Sequence, residues 1–423
     1  MRKKLLFIVP LLAAAVVCRA QSTDQLTLND CYRLALQNYP QAKQRELIAK
    51  TAEYTIENIQ KGYLPQLNIN GQASYQSAVT AIPIKIPGVD IPTLSKDQYK
   101  LYGEIDQTVY DGGEIKHQKQ LQKTTEAINR QQLETDLYQL KDRINQLFFG
   151  VLLVDEQIKQ NDLVIKDVQL GHDKIQASIR NGTAFRSNGD VLEAQVLQDE
   201  QQTVNLRASR KAYTDMLGLF IGRTVDENTL LVKPPSVDVT HDINRPELLV
   251  YDLQGKNLDV QNELLTIETR PKLSLFLQGG VARPGLDLLS NNFAGYYIGG
   301  IKLTWSPSIF YTLKNSRALI DISRKNLAVE KETFLFNTNL TVKQQDADIG
   351  KYGQLLASDD RIIDLRTKVK NTAMAQLENG VITSNDFLTD VNDENQARQN
   401  KILHEVQLLM TQYNQQTTTG NQQ

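Results

Sequence analysis

Cysteine is nearly absent. The 423 residues hold two, Cys18 and Cys31, which excludes a disulfide framework and any Cys-rich zinc site. Histidine is limited to His117, His172, His241 and His404, scattered too widely for a metal-spaced pair. There is one tryptophan, Trp305, and only 12 prolines. Long polar helices, here rich in Gln and Asn, tolerate that composition better than a compact enzyme core does. Neither sign of charge dominates: 47 Lys plus Arg stand against 49 Asp plus Glu, which argues against a general nucleic-acid binder. No nucleophile elbow or P-loop occurs, so neither an enzymatic site nor a cofactor is expected. Beyond the first twenty residues no run of eighteen apolar residues exists; a membrane can then be entered only as a β-barrel. With 40 % hydrophobic and 23 % charged residues, the chain is neither wholly disordered nor a helical-bundle membrane protein.

What is present begins with an export signal over residues 1–20. Arg2, Lys3 and Lys4 precede an apolar run, Leu5 to Val17, too short to span a bilayer. Cys18-Arg19-Ala20 then predicts cleavage before Gln21. A competing lipoprotein reading puts a lipid on Cys18, but Val17 stands where a lipobox has Gly, Ala or Ser. Loss of four basic and no acidic residues takes the net charge from −2 to −6.

The remainder reads as two structural repeats, 21–230 and 231–423. Pro40 and Pro65 recur as Pro246 and Pro271, offset by 206 residues each. Asn181-Gly182-Thr183 recurs as Asn379-Gly380-Val381, and Asp190-Val191-Leu192 as Asp386-Phe387-Leu388. Each copy opens with a helix and then switches to period two. Strands are expected over about 66–77 and 98–110, and again over about 272–282 and 296–306. Leu67, Ile69, Gly71, Ala73 and Tyr75 alternate with Asn68, Asn70, Gln72 and Ser74, and the other three behave alike. Such alternation suits a barrel wall between lipid and water, and equally a soluble sheet with one wet face. The export signal and the fourfold recurrence of the pattern point to the membrane. The loop Ser77–Gln98, with Pro83, Pro87 and Pro92, fits the long outward side of such a barrel.

Long helices follow, 113–180 and 314–379. Leu133, Leu137, Leu140, Ile144, Leu147, Val151, Val154 and Ile158 form a heptad seam, which calls for a partner helix; at 1.5 Å per residue such a rod is about 100 Å long. Its continuation places Asn161 and His172 on the seam, where His172 reads as a polar residue of a wet interface. Each Asn-Gly turns the chain back into a returning helix, 190–218 or 385–413.

These residues resemble the TolC-like outer-membrane efflux family. Leu26-Thr27-Leu28-Asn29-Asp30-Cys31 through Asn38-Tyr39-Pro40 looks like its opening helix, Leu64-Pro65-Gln66-Leu67 like its strand entry, and Val109-Tyr110-Asp111-Gly112-Gly113 like its strand exit. Ile309-Phe310-Tyr311-Thr312-Leu313 departs from that exit by lacking the glycines. The resemblance implies an α+β membrane protein: a long α-helical coiled-coil tunnel plus a β-barrel shared by a homotrimer, four strands per chain. It implies a passive exit duct in the outer membrane of a Gram-negative bacterium, extending into the periplasm. Its partners are then the lipid bilayer, a periplasmic adaptor and an inner-membrane transporter, with no nucleic acid. Type I protein secretion and a non-pore coiled-coil scaffold are the alternatives. By motif position Asp386 lines a periplasmic gate, with Thr389 and Asp390 where a second acid is usual; Asp190 and Glu193 hold the equivalent place in the first copy and latch neighbouring helices. Asn181, Gly182, Thr183, Asn379, Gly380 and Val381 form the tip that docks the adaptor. Asp190 and Asp386 are also candidates for simple helix caps. A belt around the tunnel is implied for residues about 220–245 and the C-terminal segment.

Overall fold

The computed structural model describes residues 25–80, 88, 93–287 and 290–421. The export signal, Cys18, and the prolines at 83, 87 and 92 lie outside the described residues. In chain order the elements are β1 (Gln25–Leu26), α1 (Leu28–Asn38), α2 (Gln44–Gln60), β2 (Gln66–Tyr75), β3 (Asp97–Tyr110), α3 (Glu114–Tyr138), α4 (Leu140–Arg180), α5 (Arg186–Ile221), β4 (Leu230–Leu231), α6 (Pro246–Glu268), β5 (Lys272–Arg283), β6 (Ala294–Thr304), α7 (Phe310–Glu378) and α8 (Ser384–Thr419). The chain is mainly helical, with a small sheet content.

Local chemistry explains most boundaries. Thr27 caps α1, its hydroxyl accepting the Asp30 N–H at 3.1 Å. Pro40 starts a single 3-10 turn, Pro40–Lys43, before α2, whereas Pro246 is the first residue of α6 itself; proline suits both places because its missing N–H is not needed there. At the end of β3, Gly112 and Gly113 take φ of 73° and 97°. Asp111 then accepts the N–H groups of Gly113 (2.9 Å) and Ile115 (2.8 Å). The second copy, without glycines, turns through a 3-10 segment, Pro307–Ile309. The rod expected over 113–180 is two helices, since the helical ladder loosens at Gln139, whose N–H still reaches Thr135 O at 3.3 Å. The returning helices are longer than expected, α5 beginning at Arg186 and α8 running to Thr419.

Two compact units result, and each draws on both halves of the sequence. One comprises the described residues up to Tyr39 with Leu140–Val239 and Gln344–Thr417. Here α1 packs on the α4–α5 pair. Leu140, Ile144, Val151, Val154, Val168 and Ile175 of the seam are buried, as are Phe148 and Phe149. The seam polar residue Asn161 fixes the register of α4 on α5, its Nδ2 donating to Asp199 O at 2.7 Å and to Thr203 Oγ1 at 2.9 Å. Asn145, fully buried, donates to Asn414 Oδ1 at 2.9 Å and accepts from Tyr32 Oη. His172 is half-buried and bonded to Gln176 at 3.2 Å. The extended segment before α6 lies on α8: Lys233 pairs with Glu405 (2.8 Å), Ser236 with Gln412 (3.0 Å), and Tyr413 Oη donates to Pro235 O (3.1 Å).

The other unit comprises the described residues of Pro40–Gln139, of Thr240–Lys343 and from Thr418 on. Helix α3 packs on α2 and α6. Helix α7 is tied to α6 by Lys331–Asp252 (3.0 Å) and Arg324–Asp259. This unit holds an antiparallel sheet of order β2-β3-β5-β6. The register sorts the side chains cleanly. Leu67, Ile69, Leu101, Ile105, Leu275, Leu277, Val281, Tyr297 and Ile301 share one face, and all are exposed. Asn68, Asn70, Gln72, Lys100, Glu104, Asp106 and Gln278 share the other. A soluble sheet does the reverse, burying its apolar face. Along β5, Leu275, Leu277, Gly279 and Val281 of the apolar face are exposed, while the residues of the polar face are half-buried or buried. Aromatic residues flank the apolar band, with Tyr75, Tyr99 and Phe293 at the loop end and Tyr110 and Trp305 at the helix end.

Candidate gate and docking tip

The two Asn-Gly turns have the same backbone. At the end of α4, Gly182 N–H donates to Ile179 O (3.0 Å) and Thr183 N–H to Ser178 O (2.9 Å). At the end of α7, Gly380 N–H donates to Leu377 O (3.1 Å) and Val381 N–H to Gln376 O (2.9 Å). Both are Schellman motifs with the glycine in the left-handed region, at φ 73° and 68°. A Cβ at either glycine meets nothing within 4 Å, so conformation and not crowding requires glycine. Asn379 closes on its own helix, its Nδ2 donating to Ala375 O at 2.7 Å. Each turn carries one prominent apolar side chain, Phe185 (81 % exposed) and Val381 (68 %). Phe185 stands in no motif that singles it out, and sequence reasoning passed over it.

The helices that follow start differently. Thr383 caps α8 with Asp386 three residues on, a capping box. The Asp386 N–H donates to Thr383 Oγ1 at 3.2 Å, and Asp386 Oδ2 accepts the Thr383 hydroxyl (2.7 Å) and N–H (3.0 Å). These bonds hold the exposed carboxyl below its ordinary range. Helix α5 is capped by Phe185, which offers no side-chain bond. Asp190 therefore lies a full turn inside α5 and is not a cap. Asp190 and Glu193 are exposed and make no bond within the chain among the described residues. Thr389 is bonded back to Asn385 O at 3.0 Å, and Asp390 is half-buried.

Beneath the turns, four helices converge on a small core. Val164, Val168 and Ile175 of α4, Leu192 of α5, Ala373 and Leu377 of α7, and Phe387, Leu388 and Val391 of α8 are buried together. The recurrence of Asp190-Val191-Leu192 as Asp386-Phe387-Leu388 singled out Phe387 and Leu388, but it had no signal for what they touch. Deeper still is a charge cluster. Lys370 pairs with Asp167 (2.6 Å) and Glu394 (2.9 Å), and Arg398 pairs with Glu394 (2.7 Å), which also accepts the Thr367 hydroxyl at 2.7 Å. Burial opposes both charges, yet the hydrogen bonds outweigh it: Lys370 is raised and Glu394 lowered from their ordinary values. The residues expected at the gate and tip thus sit on a well-tied four-helix end.

Among the described residues no group of three or more His, Cys, Asp or Glu side chains is disposed to hold a metal. No described helix is long and apolar enough to cross a membrane.

No family model matches the chain, and no curated protein matches it in sequence. Solved structures do. CusC, described for transmembrane channel formation, is 14 % identical with a TM-score of 0.66, over 93 % of this chain and 92 % of its own. The outer-membrane protein VceC of Vibrio cholerae is 12 % identical with a TM-score of 0.63, over 93 % and 96 %. The MtrE outer-membrane channel of Neisseria gonorrhoeae, in its open state, is 12 % identical with a TM-score of 0.64, over 93 % and 89 %. The fold is therefore that of the TolC-like outer-membrane channels, over nearly the whole chain.

Proposed function

We propose that the protein is the outer-membrane exit duct of a tripartite efflux system, a passive channel without enzymatic activity. The observation that carries this reading is the sheet: an exposed apolar face backed by a polar one, and two edges, β2 and β6, that have no strand partner among the described residues. Open edges cannot lie in lipid, where every backbone group needs a partner. Pairing β6 of one copy with β2 of the next removes them, and three copies around an axis give a closed barrel of twelve strands with the polar face inward. The 12 residues of β5 extend about 40 Å, or about 30 Å when tilted by roughly 40°, enough for an apolar band of about 25 Å. The helices then continue the lumen through the periplasm. The 21–230 and 231–423 repeats supply equivalent halves of that wall.

On this reading the tip turns face a periplasmic adaptor, Phe185 and Val381 being the apolar contacts, and an inner-membrane transporter supplies the energy. Three Asp386 carboxylates converge near the axis as a cation-attracting constriction. Asp190 and Glu193, free within their own chain, meet the neighbouring copy. Cargo is small molecules such as drugs; type I protein secretion uses the same duct geometry with another pump. The test is fractionation and conductance. Recovery in the outer-membrane fraction as a heat-modifiable trimer that opens pores in a planar bilayer supports the duct. A stable non-conducting monomer in mild detergent sinks it.

A further inference from the structure

The polar face of the sheet is not uniform. Cross-strand register stacks it in rows. Inside the loop-end pair Ser74–Gln98 comes the four-strand row Gln72, Lys100, Ala282, Ala294; next comes Asn70, Tyr102, Gly280, Tyr296; then Asn68, Glu104, Gln278, Ile298. In the outermost of these rows Lys100 is the only charge, beside two alanines that leave room. Its ammonium does not pair with Glu104. It lies over the Tyr102 ring, 4.4 Å from the centroid, and near that of Tyr296, at 5.4 Å. Among the described residues it has no carboxylate partner, although the side chain is half-buried.

Gly280 builds this arrangement. A Cβ there would lie 2.2 Å from Leu101 O and 2.6 Å from both Cα and Cβ of Tyr102. Only glycine lets β3 approach β5 so closely, and its bare surface lets the tyrosines on either side share one lysine. The site thus combines two aromatic rings with a cation that has no counter-ion among the described residues. Ring faces stabilise an ammonium but leave its positive charge uncompensated, and a half-buried cation gains most from an anion.

We propose that Lys100, Tyr102 and Tyr296 form a binding station for small organic anions that carry an aromatic ring, such as aryl carboxylates. The carboxylate meets the Lys100 ammonium, and the ring stacks on tyrosine. This inference rests on the duct reading for its place in the lumen, where three copies of the station face one another beyond the acidic row of Glu104.

The full-length protein in detergent is titrated calorimetrically with salicylate and, as the ringless control, acetate. Salicylate should bind and acetate should bind far more weakly. Lys100→Gln should weaken salicylate at least about tenfold, the size expected for a lost charge-assisted bond, while Lys100→Arg retains it. Tyr102→Leu should erase the preference for salicylate over acetate with Lys100 in place, and serves also if Lys100→Gln fails to give the heat-modifiable trimer. Equal salicylate binding by parent, Lys100→Gln and Tyr102→Leu overturns the proposal, as does a parent that binds neither anion. Planar-bilayer recordings separate this from the duct itself. A parent that opens no pore defeats the duct, whereas a conducting parent whose calorimetry shows no salicylate binding defeats only the station.

Discussion

Gly171 of α4 and the ring of Phe387 in α8 occupy adjoining space so closely that a Cβ on the glycine would stand 2.8 Å from Phe387 Cε1. The missing side chain is what allows a phenyl ring, fully buried, to fill the centre of the tip core. A glycine inside a 41-residue helix costs about 1 kcal/mol of helix propensity, and the packing offsets that cost.

Gly171→Ala should therefore destabilise the tip despite alanine's better propensity, by about 1–3 kcal/mol as an overpacked site. Phe387→Ala should cost about 3–5 kcal/mol through the cavity it leaves. Combining Gly171→Ala with Phe387→Leu should recover part of the loss, because the smaller side chain yields the space. Hydrogen exchange across residues 164–196 and 370–391 reads these changes. A neutral or stabilising Gly171→Ala contradicts the close contact.

The capping box gives a second expectation. Thr383→Ala removes the hydroxyl that bonds the Asp386 N–H, and an N-cap of this type contributes about 0.5–2 kcal/mol. Exchange at the first turn of α8 should accelerate while that of α5, which lacks a side-chain cap, stays unchanged. The pH sense follows from the carboxyl. Asp386 is held below its ordinary value in the folded helix, so its contribution is complete above that ordinary value and is lost as pH falls through the lowered one. Fraying of α8 should grow in acid. Asp386→Asn separates the two roles: a gate ring requires weaker cation selectivity in planar-bilayer recordings, and unaltered selectivity confines the residue to capping.

How far the sequence reaches is visible in these same residues. Strand faces were legible because period two is local: Leu67 and Asn68 declare their sides without any partner. The paired turns were legible because Gly182 and Gly380 carry the positive φ that their residue type adopts most readily at a helix end. The role of Asp386 as the third residue of a capping box was also within reach, three residues after Thr383. Asp190 misled, since its motif matches that of Asp386 but α5 begins at Arg186, four residues earlier. The pairing of Gly171 with Phe387, and of Lys370 with Asp167, joins residues some two hundred positions apart in pairs of helices whose facing is set by tertiary packing. Nothing in local periodicity carries that information.

Cys31 offers a solution test of the other end of the same unit. It is a free thiol with no exposed surface, and burial pushes it up to about 12 from 9.0. The thiolate is the reactive form, so iodoacetamide at neutral pH should modify Cys31 only after denaturation. Because the folded value is the higher one, the thiol's contribution is complete below about 9 and is lost as pH rises toward about 12, giving alkaline sensitivity that Cys31→Ala should reduce. Rapid labelling of the native protein contradicts the packed position of α1.

The sheet supplies the sharpest contrast between two adjacent residues. Ile69 and Asn70 are neighbours in β2, yet Ile69 lies on the apolar face, 78 % exposed, and Asn70 on the face shared with Tyr102. In a soluble sheet wet on both sides, a lysine at either position changes little. In a barrel wall Ile69→Lys places an ammonium in hydrocarbon, which costs about 2–4 kcal/mol per chain near the bilayer midplane, and a trimer carries that cost three times. Asn70→Lys places the same charge in the aqueous lumen and should assemble normally. Both variants are scored by yield of the heat-modifiable trimer in the outer-membrane fraction. Ile69→Lys should reduce that yield severely and Asn70→Lys only slightly, with the surviving Asn70→Lys pores shifted toward anions. Equal yields would place lipid on neither face, and the reverse order would turn the sheet inside out.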